Sequence, residues 1–262
     1  MSDSLQISRS GRVARVALDR PDLHNAFDDH LIADLTRALS AIGDDADVHA
    51  VVLTGNGASF SAGANIQWMR RMAQASEADN RADSERLAAL MHTLNFLPKP
   101  TIARVNGAAF GGGVGLIACC DIALAADTAK FALSEVKLGL VPAVISPYVI
   151  AAIGLREARR LFLTGEIFDA REAARIGLVH ELVPADALDA AVVRQLDLLG
   201  KGGPLAQREA KALALRAAGF TAADAQVADR ANAALIARLR VSAEGQEGLA
   251  AFLAKRKPDW IG

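Results

Sequence analysis

The sequence has no excess of charge of either sign and almost no cysteine. Its 29 lysine and arginine residues are balanced by 30 aspartate and glutamate residues, giving a formal net charge of −1. A chain with this balance creates no long-range field that would attract nucleic acid or an anionic membrane. The two cysteines, Cys119 and Cys120, are adjacent in an apolar run and cannot easily pair with each other. This excludes a disulfide framework and favours a reducing compartment.

Signals for export and membrane insertion are also missing. The first twelve residues lack the apolar core of a signal peptide. The one uncharged window of membrane-spanning length, Leu138–Leu155, contains Pro142 and Pro147, which would break a helix inside it. We therefore interpret this window as a buried, broken segment and expect a cytoplasmic protein.

Several catalytic patterns are absent as well. The five histidines have no metal-ligand spacing, and no serine lies in a G-x-S-x-G motif, so we expect neither a metal centre nor nucleophilic acyl transfer. The glycine run Gly111–Gly113 lies between a predicted strand and a predicted helix, as in dinucleotide-binding proteins. Its spacing does not match G-x-G-x-x-G, and close packing of the backbone explains the glycines better.

Apolar residues make up 52% of the 262 residues, enough to bury one large core with at most a small appendage. The patterns predict a β-hairpin over residues 7–18, a helix that begins after Asn25 or Asp28 and extends to Ile42, and a buried strand over Val48–Thr54. Because strand and helix patterns then repeat about every fifty residues, we expect an α/β fold of ββα units that wind in one hand.

The last third of the sequence is helical in pattern. Gly200–Pro204 is the clearest linker, and three Ala- and Leu-rich helices are predicted after it, near Leu205–Ala218, Ala222–Leu239 and Ala243–Arg256. They are too short to form a core alone, so we expect them to pack on the main body and on neighbouring subunits. The predicted division is a core over residues 1–198 and a C-terminal helical region for oligomerisation over residues 199–262.

The stretch Thr101–Leu140 has the composition of an active site. A buried strand leads into Gly111–Gly113, where the backbone can approach a ligand with no Cβ in the way, and a buried apolar helix should follow. The unpaired N–H groups of its first turn would stabilise a developing negative charge. The small, polar segment Ser59–Ile66 also follows a buried strand and is a second candidate for such backbone donors.

Glu135 is the isolated carboxylate of this stretch. Its apolar neighbours, which include Leu133 and Leu138, would raise its pKa and suit it to proton transfer. The alternative is a surface glutamate that pairs with Lys137.

These residues resemble the enoyl-CoA hydratase/isomerase family, also called the crotonase family, over essentially the whole chain. The likeness rests on six segments: Phe60–Ile66, Asn106–Gly113, Cys120–Ile122, Phe131–Gly139, Leu163–Gly165 and Ala174–Val179. The resemblance implies a crotonase-like spiral of ββα units with a C-terminal helical region that builds a homotrimer or homohexamer. It also implies an acyl-CoA substrate, with coenzyme A as part of the thioester and no separate cofactor or metal.

The resemblance implies a role for particular residues. The backbone N–H groups of Ala64 and Gly112 would form the oxyanion hole, and Glu135 would exchange a proton at the α-carbon. Further substrate contacts are implied for Leu23, His24, Ala62, Gly63, Asn65, Ile66, Gly111, Gly115 and Val141. The shape of the acyl pocket depends on which of Trp68, Met69, Met72, Phe96, Val144 and Tyr148 reach it.

One position departs from the family pattern. Gly115 occupies the place of the first of two glutamates, which normally activates the added water. Residues 131–142 and 145–149 are most similar to bacterial hydratases of branched, carboxylated enoyl-CoAs, of the methylglutaconyl-CoA and carboxygeranoyl-CoA type. We therefore expect hydration in fatty-acid or branched-chain catabolism. One carboxylate would handle both the water and the α-proton. The alternatives are a Δ3,Δ2-enoyl-CoA isomerase and a non-catalytic acyl-CoA- or RNA-binding homologue. The near-neutral charge speaks against RNA.

Overall fold

The computed structural model describes residues 4–261, which form two β-sheets covered by helices. The strands are β1 (Leu5–Ser10), β2 (Val13–Leu18), β3 (Ala50–Gly55), β4 (Ser59–Ser61), β5 (Thr101–Val105), β6 (Ala108–Phe110), β7 (Ile122–Ala126), β8 (Lys130–Ala132), β9 (Ile167–Asp169) and β10 (Glu181–Val183). The α-helices are α1 (Asp29–Asp44), α2 (Ile66–Gln74), α3 (Glu77–Asn95), α4 (Gly112–Ala118), α5 (Ser146–Thr164), α6 (Ala170–Arg175), α7 (Leu188–Leu199), α8 (Pro204–Ala217), α9 (Ala222–Val241) and α10 (Ala243–Leu253). Short 3₁₀ turns cover Pro21–Leu23, Glu135–Leu138 and Ala185–Ala187.

The two sheets are built by one repeating path of the chain. Six strands form the large sheet in the order β1-β2-β3-β5-β7-β10, and four short strands form the small sheet in the order β4-β6-β8-β9. Three times the chain places one strand in the large sheet and the next in the small sheet before it enters a helix. This repeat confirms the predicted spiral of ββα units.

The central strands of the large sheet are parallel and buried. β3 pairs with β2 on one side and β5 on the other, and all six of its residues are buried. A parallel sheet covered by helices needs such continuous apolar strands. β1 and β2 form the predicted antiparallel hairpin at the edge.

Helix α1 forms where the sequence predicts it. The carboxylate of Asp28 accepts a hydrogen bond from the N–H of Leu31 at 2.9 Å, so Asp28 is the N-cap rather than Asn25. The apolar residues that recur every three or four positions face the core: Leu31, Ile32, Leu35, Leu39 and Ile42.

Some element boundaries differ from the prediction. The sequence predicts one long helical region that follows Ile66 and ends at Phe96, but the structure divides it into α2 and α3, because the chain is extended at Ala75 and Ser76 and the Ser76 side chain caps α3. The sequence also predicts two helical stretches, Tyr148–Ile153 and Glu157–Leu163, and both lie within α5, where the non-helical backbone of Gly154, with a φ of +76°, separates them. The strands β4, β6 and β9 were not predicted, since three residues are too few to show a periodicity.

The three predicted C-terminal helices are present as α8, α9 and α10. Helix α9 packs along α3, and α10 packs on α2 and on the 3₁₀ turn after β8. Helices α9 and α10 therefore pack against the helices and the turn that follow strands of the small sheet. The division near residue 198 and the role of this region in oligomerisation stay predictions.

Across residues 4–261, no helix is both long enough and apolar enough to cross a bilayer.

Candidate active site

Three neighbouring strands of the small sheet each lead into one predicted site element. β4 pairs in parallel with β6, and β6 pairs in parallel with β8. Ala64 follows β4, Gly112 follows β6, and Glu135 follows β8. Because the carboxyl ends of neighbouring parallel strands meet at one sheet edge, the fold brings the two loops and the carboxylate together.

A cavity of about 600 Å³ lies at this edge, and Ala64, Gly112 and Glu135 all line it. Cavities of this size are typical of small-molecule sites. Other predicted residues on its wall are Ala62, Gly63, Gly111, Val141, Trp68, Met69, Met72 and Val144. Its charged lining residues are Glu135, Lys137, Arg240, Arg256 and Lys257.

The backbone N–H groups of Ala64 and Gly112 donate no hydrogen bond within residues 4–261. The loop around Ala64 is nevertheless fixed. Phe27 N–H donates to the Gly63 carbonyl at 2.6 Å, and Asn65 N–H donates to the Phe27 carbonyl at 2.7 Å. Two immobilised, unpaired donors on the wall of one cavity suit a ligand oxygen that gains negative charge.

Phe27 also explains why position 112 is glycine. A Cβ there would lie 2.5 Å from the Cε2 atom of the Phe27 ring, closer than side chains pack. Phe27 is only 2% exposed and lines the cavity. It was not predicted as a site residue, because an aromatic residue beside a helix start looks like any core residue.

Glu135 opens the 3₁₀ turn after β8, and its Oε2 atom is buried with no hydrogen-bond partner among the described residues. Burial raises the pKa of this carboxyl to about 7. A Cβ at Gly111 would lie 3.0 Å from Oε1, so glycine leaves room for the carboxylate. Glu135 does not form the alternative ion pair with Lys137, and Lys137 is exposed. Glu135 is thus an unpaired acid–base group beside the two backbone donors.

Gly115 does not line the cavity, whereas Ile145 does. A Cβ at position 115 would contact the side chain of Ile145, lying 2.9 Å from its Cβ, and would approach the Cε of Met91 at 3.3 Å. The place of the missing first glutamate is therefore filled by an isoleucine from the segment before α5. Ile145 was not predicted, because this contact joins residues thirty positions apart.

Besides Gly115, four predicted substrate-binding residues lie off the cavity wall: Leu23, His24, Asn65 and Ile66. Leu23 and Ile66 are exposed. Asn65 caps α2 through its side-chain oxygen, and the carbonyl of His24 accepts a hydrogen bond from Ala62 N–H at 2.9 Å. His24 and Asn65 thus hold the loop that carries the Ala64 donor.

Two of the aromatic candidates for the acyl pocket also lie elsewhere. Phe96 packs on His92, with ring centroids 4.6 Å apart, and the hydroxyl of Tyr148 donates to Asp229 at 3.3 Å. The cavity instead gains Arg240 from α9, which sequence patterns did not indicate. Within the described chain, no three His, Cys, Asp or Glu side chains are grouped so that they could hold a metal ion.

Comparison with known proteins agrees with this architecture. The sequence model of the family "Enoyl-CoA hydratase/isomerase" matches residues 8–262. The 2,3-dehydroadipyl-CoA hydratase of Escherichia coli K12 is 34% identical over 98% of this chain and 98% of its own. A crystal structure of an enoyl-CoA hydratase from Shewanella pealeana is 45% identical, with a TM-score of 0.81 over 99% of this chain and 96% of that one. A crystal structure of an enoyl-CoA hydratase from Bacillus halodurans is 25% identical, with a TM-score of 0.89 over 95% of this chain and 99% of that one. The chain is therefore an enzyme of the enoyl-CoA hydratase/isomerase family.

Proposed function

We propose that the protein adds water to an α,β-unsaturated acyl-CoA, or removes it from the 3-hydroxyacyl-CoA. The observation that carries the proposal is the unpaired carboxyl of Glu135 beside two unpaired backbone N–H groups in one cavity. Relatives named enoyl-CoA hydratases support the same reaction.

In this proposal the N–H groups of Ala64 and Gly112 bind the thioester carbonyl oxygen. Attack at the β-carbon moves electrons towards that oxygen, so both hydrogen bonds are stronger in the transition state than in the ground state. A preorganised donor of this kind is typically worth about 3–4 kcal/mol. Two such donors would supply a large share of the catalysis.

Glu135 then handles both protons. Its carboxylate takes a proton from water as the water oxygen bonds to the β-carbon, and the C=C electrons pass to the enolate oxygen. The protonated carboxyl next gives that proton to the α-carbon as the thioester carbonyl re-forms. A pKa of about 7 suits both roles, because neither protonation state is strongly favoured at neutral pH.

The proposed acyl group is branched or carboxylated. The apolar lining by Trp68, Met69 and Met72 suits a hydrocarbon chain, and Arg240 on the same wall suits an acid group. One relative is named 2,3-dehydroadipyl-CoA hydratase, and the acyl group in that name carries a carboxylate besides the thioester. This name supports a carboxylated substrate.

A Δ3,Δ2-enoyl-CoA isomerase is the second candidate. Ile145 fills the place of the first glutamate, so among the lining residues Glu135 is the one carboxylate. Moving a double bond needs one group that removes a proton and returns it two carbons away, and a single carboxylate meets that need.

We further propose a homotrimer or homohexamer in the cytoplasm, without metal or cofactor beyond the coenzyme A of the substrate. Large apolar side chains exposed on the C-terminal helices support subunit contacts: Leu205, Leu213 and Val227.

The test compares Glu135→Gln with the matched control Glu85→Gln, which alters an exposed glutamate on α3. Loss of the enoyl chromophore is followed with a panel of enoyl-CoA thioesters. We expect a fall in kcat of about 10²–10⁴-fold for Glu135→Gln and no change for the control. Full turnover in Glu135→Gln contradicts the mechanism.

A 3-enoyl-CoA separates the two reactions. A 2-enoyl product with no hydroxylated product identifies an isomerase. Binding of coenzyme A thioesters without any turnover identifies a non-catalytic homologue.

A further inference from the structure

Arg240 is the basic side chain of the cavity wall that is largely shielded from solvent. The other basic lining residues, Lys137, Arg256 and Lys257, are exposed, whereas only 14% of the Arg240 side chain is exposed. Its guanidinium lies over the ring of Trp68, 5.6 Å from the ring centre, and Trp68 lines the cavity too. A buried cation on an apolar wall needs an explanation, since burial disfavours charge.

One nitrogen of this guanidinium already donates two hydrogen bonds within the protein. Nη1 donates to Oδ2 of Asp83 and to Oδ1 of Asn80, each at 3.2 Å. Nε and Nη2 donate to no acceptor within residues 4–261. These two atoms form the edge with which arginine binds a carboxylate through two parallel hydrogen bonds.

The local charges do not balance. Asp83 is 1% exposed and accepts hydrogen bonds from Arg240, Arg86 and the indole of Trp68. One buried carboxylate therefore serves two guanidinium groups. A positive charge is left beside the cavity, where a second anion would be stabilised.

We propose that Arg240 is a specificity-determining residue that binds a carboxylate carried by the acyl group of the substrate. This inference rests on the proposed function, because it assigns a substrate class to the same site. The carboxylate would approach the Nε–Nη2 edge and neutralise the charge that Asp83 leaves uncompensated. The rival explanation is that Arg240 only ties α9 to α3 through Asp83 and Asn80.

A binding measurement tests the proposal without relying on turnover. Calorimetry on the wild-type protein compares two saturated six-carbon acyl-CoA thioesters, one with a terminal carboxylate and one without. We expect the carboxylated thioester to bind at least about 30-fold more tightly. Equal affinities overturn the inference and leave the proposed hydration intact.

Variants then separate recognition from packing. Arg240→Gln should lower the ratio of kcat/KM for the carboxylated enoyl-CoA to kcat/KM for the uncharged enoyl-CoA at least about 30-fold. Arg86→Gln is the matched control, since it removes the other guanidinium that pairs with Asp83. The Arg86 side chain is half exposed. Equal losses on both substrates, or the same selectivity change in Arg86→Gln, identify a structural role. If Arg240→Gln does not fold, the ratio of the two thioester affinities of the wild-type protein decides whether Arg240 binds a carboxylate. If the wild-type protein hydrates neither enoyl-CoA, that result contradicts the proposed function rather than the role of Arg240.

Discussion

The ring of Phe27 packs against Gly112 while the backbone of Phe27 is hydrogen-bonded on both sides of Ala64. One residue thus sets the positions of both proposed oxyanion donors, which come from loops almost fifty residues apart. Donors of this kind act only when they are held in place before the reaction, so the spacing of the hole depends on this one side chain.

Substitution of Phe27 should therefore affect catalysis as well as stability. For Phe27→Leu we expect a loss of about 1–3 kcal/mol in the free energy of unfolding and a fall in kcat of about 10²-fold, because Gly112 can move into the vacated space. Phe168→Leu is the control, since Phe168 is also buried but lies off the cavity. Equal effects of both variants on kcat contradict this role for Phe27.

Gly111 should matter through its contact with Glu135. Its φ of +50° and ψ of −115° belong to a region that favours glycine, and an added Cβ would press on Oε1. We expect Gly111→Ala to lower kcat about tenfold or more. Gly219→Ala is the control, because Gly219 also has a positive φ, +70°, but no heavy atom within 4 Å of an added Cβ. Similar kinetics for the two variants would show that backbone strain alone is responsible.

The pH dependence follows from the raised pKa of Glu135. The free enzyme must hold Glu135 ionised to accept the first proton, so kcat/KM should fall about tenfold per pH unit below its pKa of about 7 and be level above it. The measurement is kcat/KM from pH 5 to 9 on an uncharged enoyl-CoA. A profile that stays level down to about pH 5 would place the pKa near the ordinary glutamate value of 4.5 and would mean that the carboxyl is solvated in the working enzyme.

The contact between Gly115 and Ile145 predicts coupling between the two positions. Gly115→Glu should cost about 2–4 kcal/mol in the free energy of unfolding, because the new side chain meets Ile145. With Ile145→Ala added, the total loss should be smaller than the sum of the two single losses by about 1 kcal/mol or more. Chemical denaturation of the four proteins of this cycle measures the difference. Simple additivity contradicts the packing described for Ile145.

The elements that the sequence predicts well are those with a local cause. Helix α1 has a capping aspartate and an apolar stripe within one stretch, and Glu135 stands alone among apolar neighbours. Phe27, Ile145 and Arg240 were not predicted, because each matters through a contact with a residue far away in the chain. Of the short strands that align the site, β4 and β6 were likewise not predicted, since neighbouring strands rather than their own sequence stabilise them.

The proposed mechanism requires that two backbone amides hold one thioester oxygen beside Glu135. A crystal structure of Glu135→Gln with an unreacted enoyl-CoA would show this contact. We expect the thioester oxygen about 2.7–3.1 Å from the nitrogens of both Ala64 and Gly112, with the side chain at position 135 facing the α-carbon. A thioester oxygen bound by only one of these amides, or by neither, contradicts the mechanism.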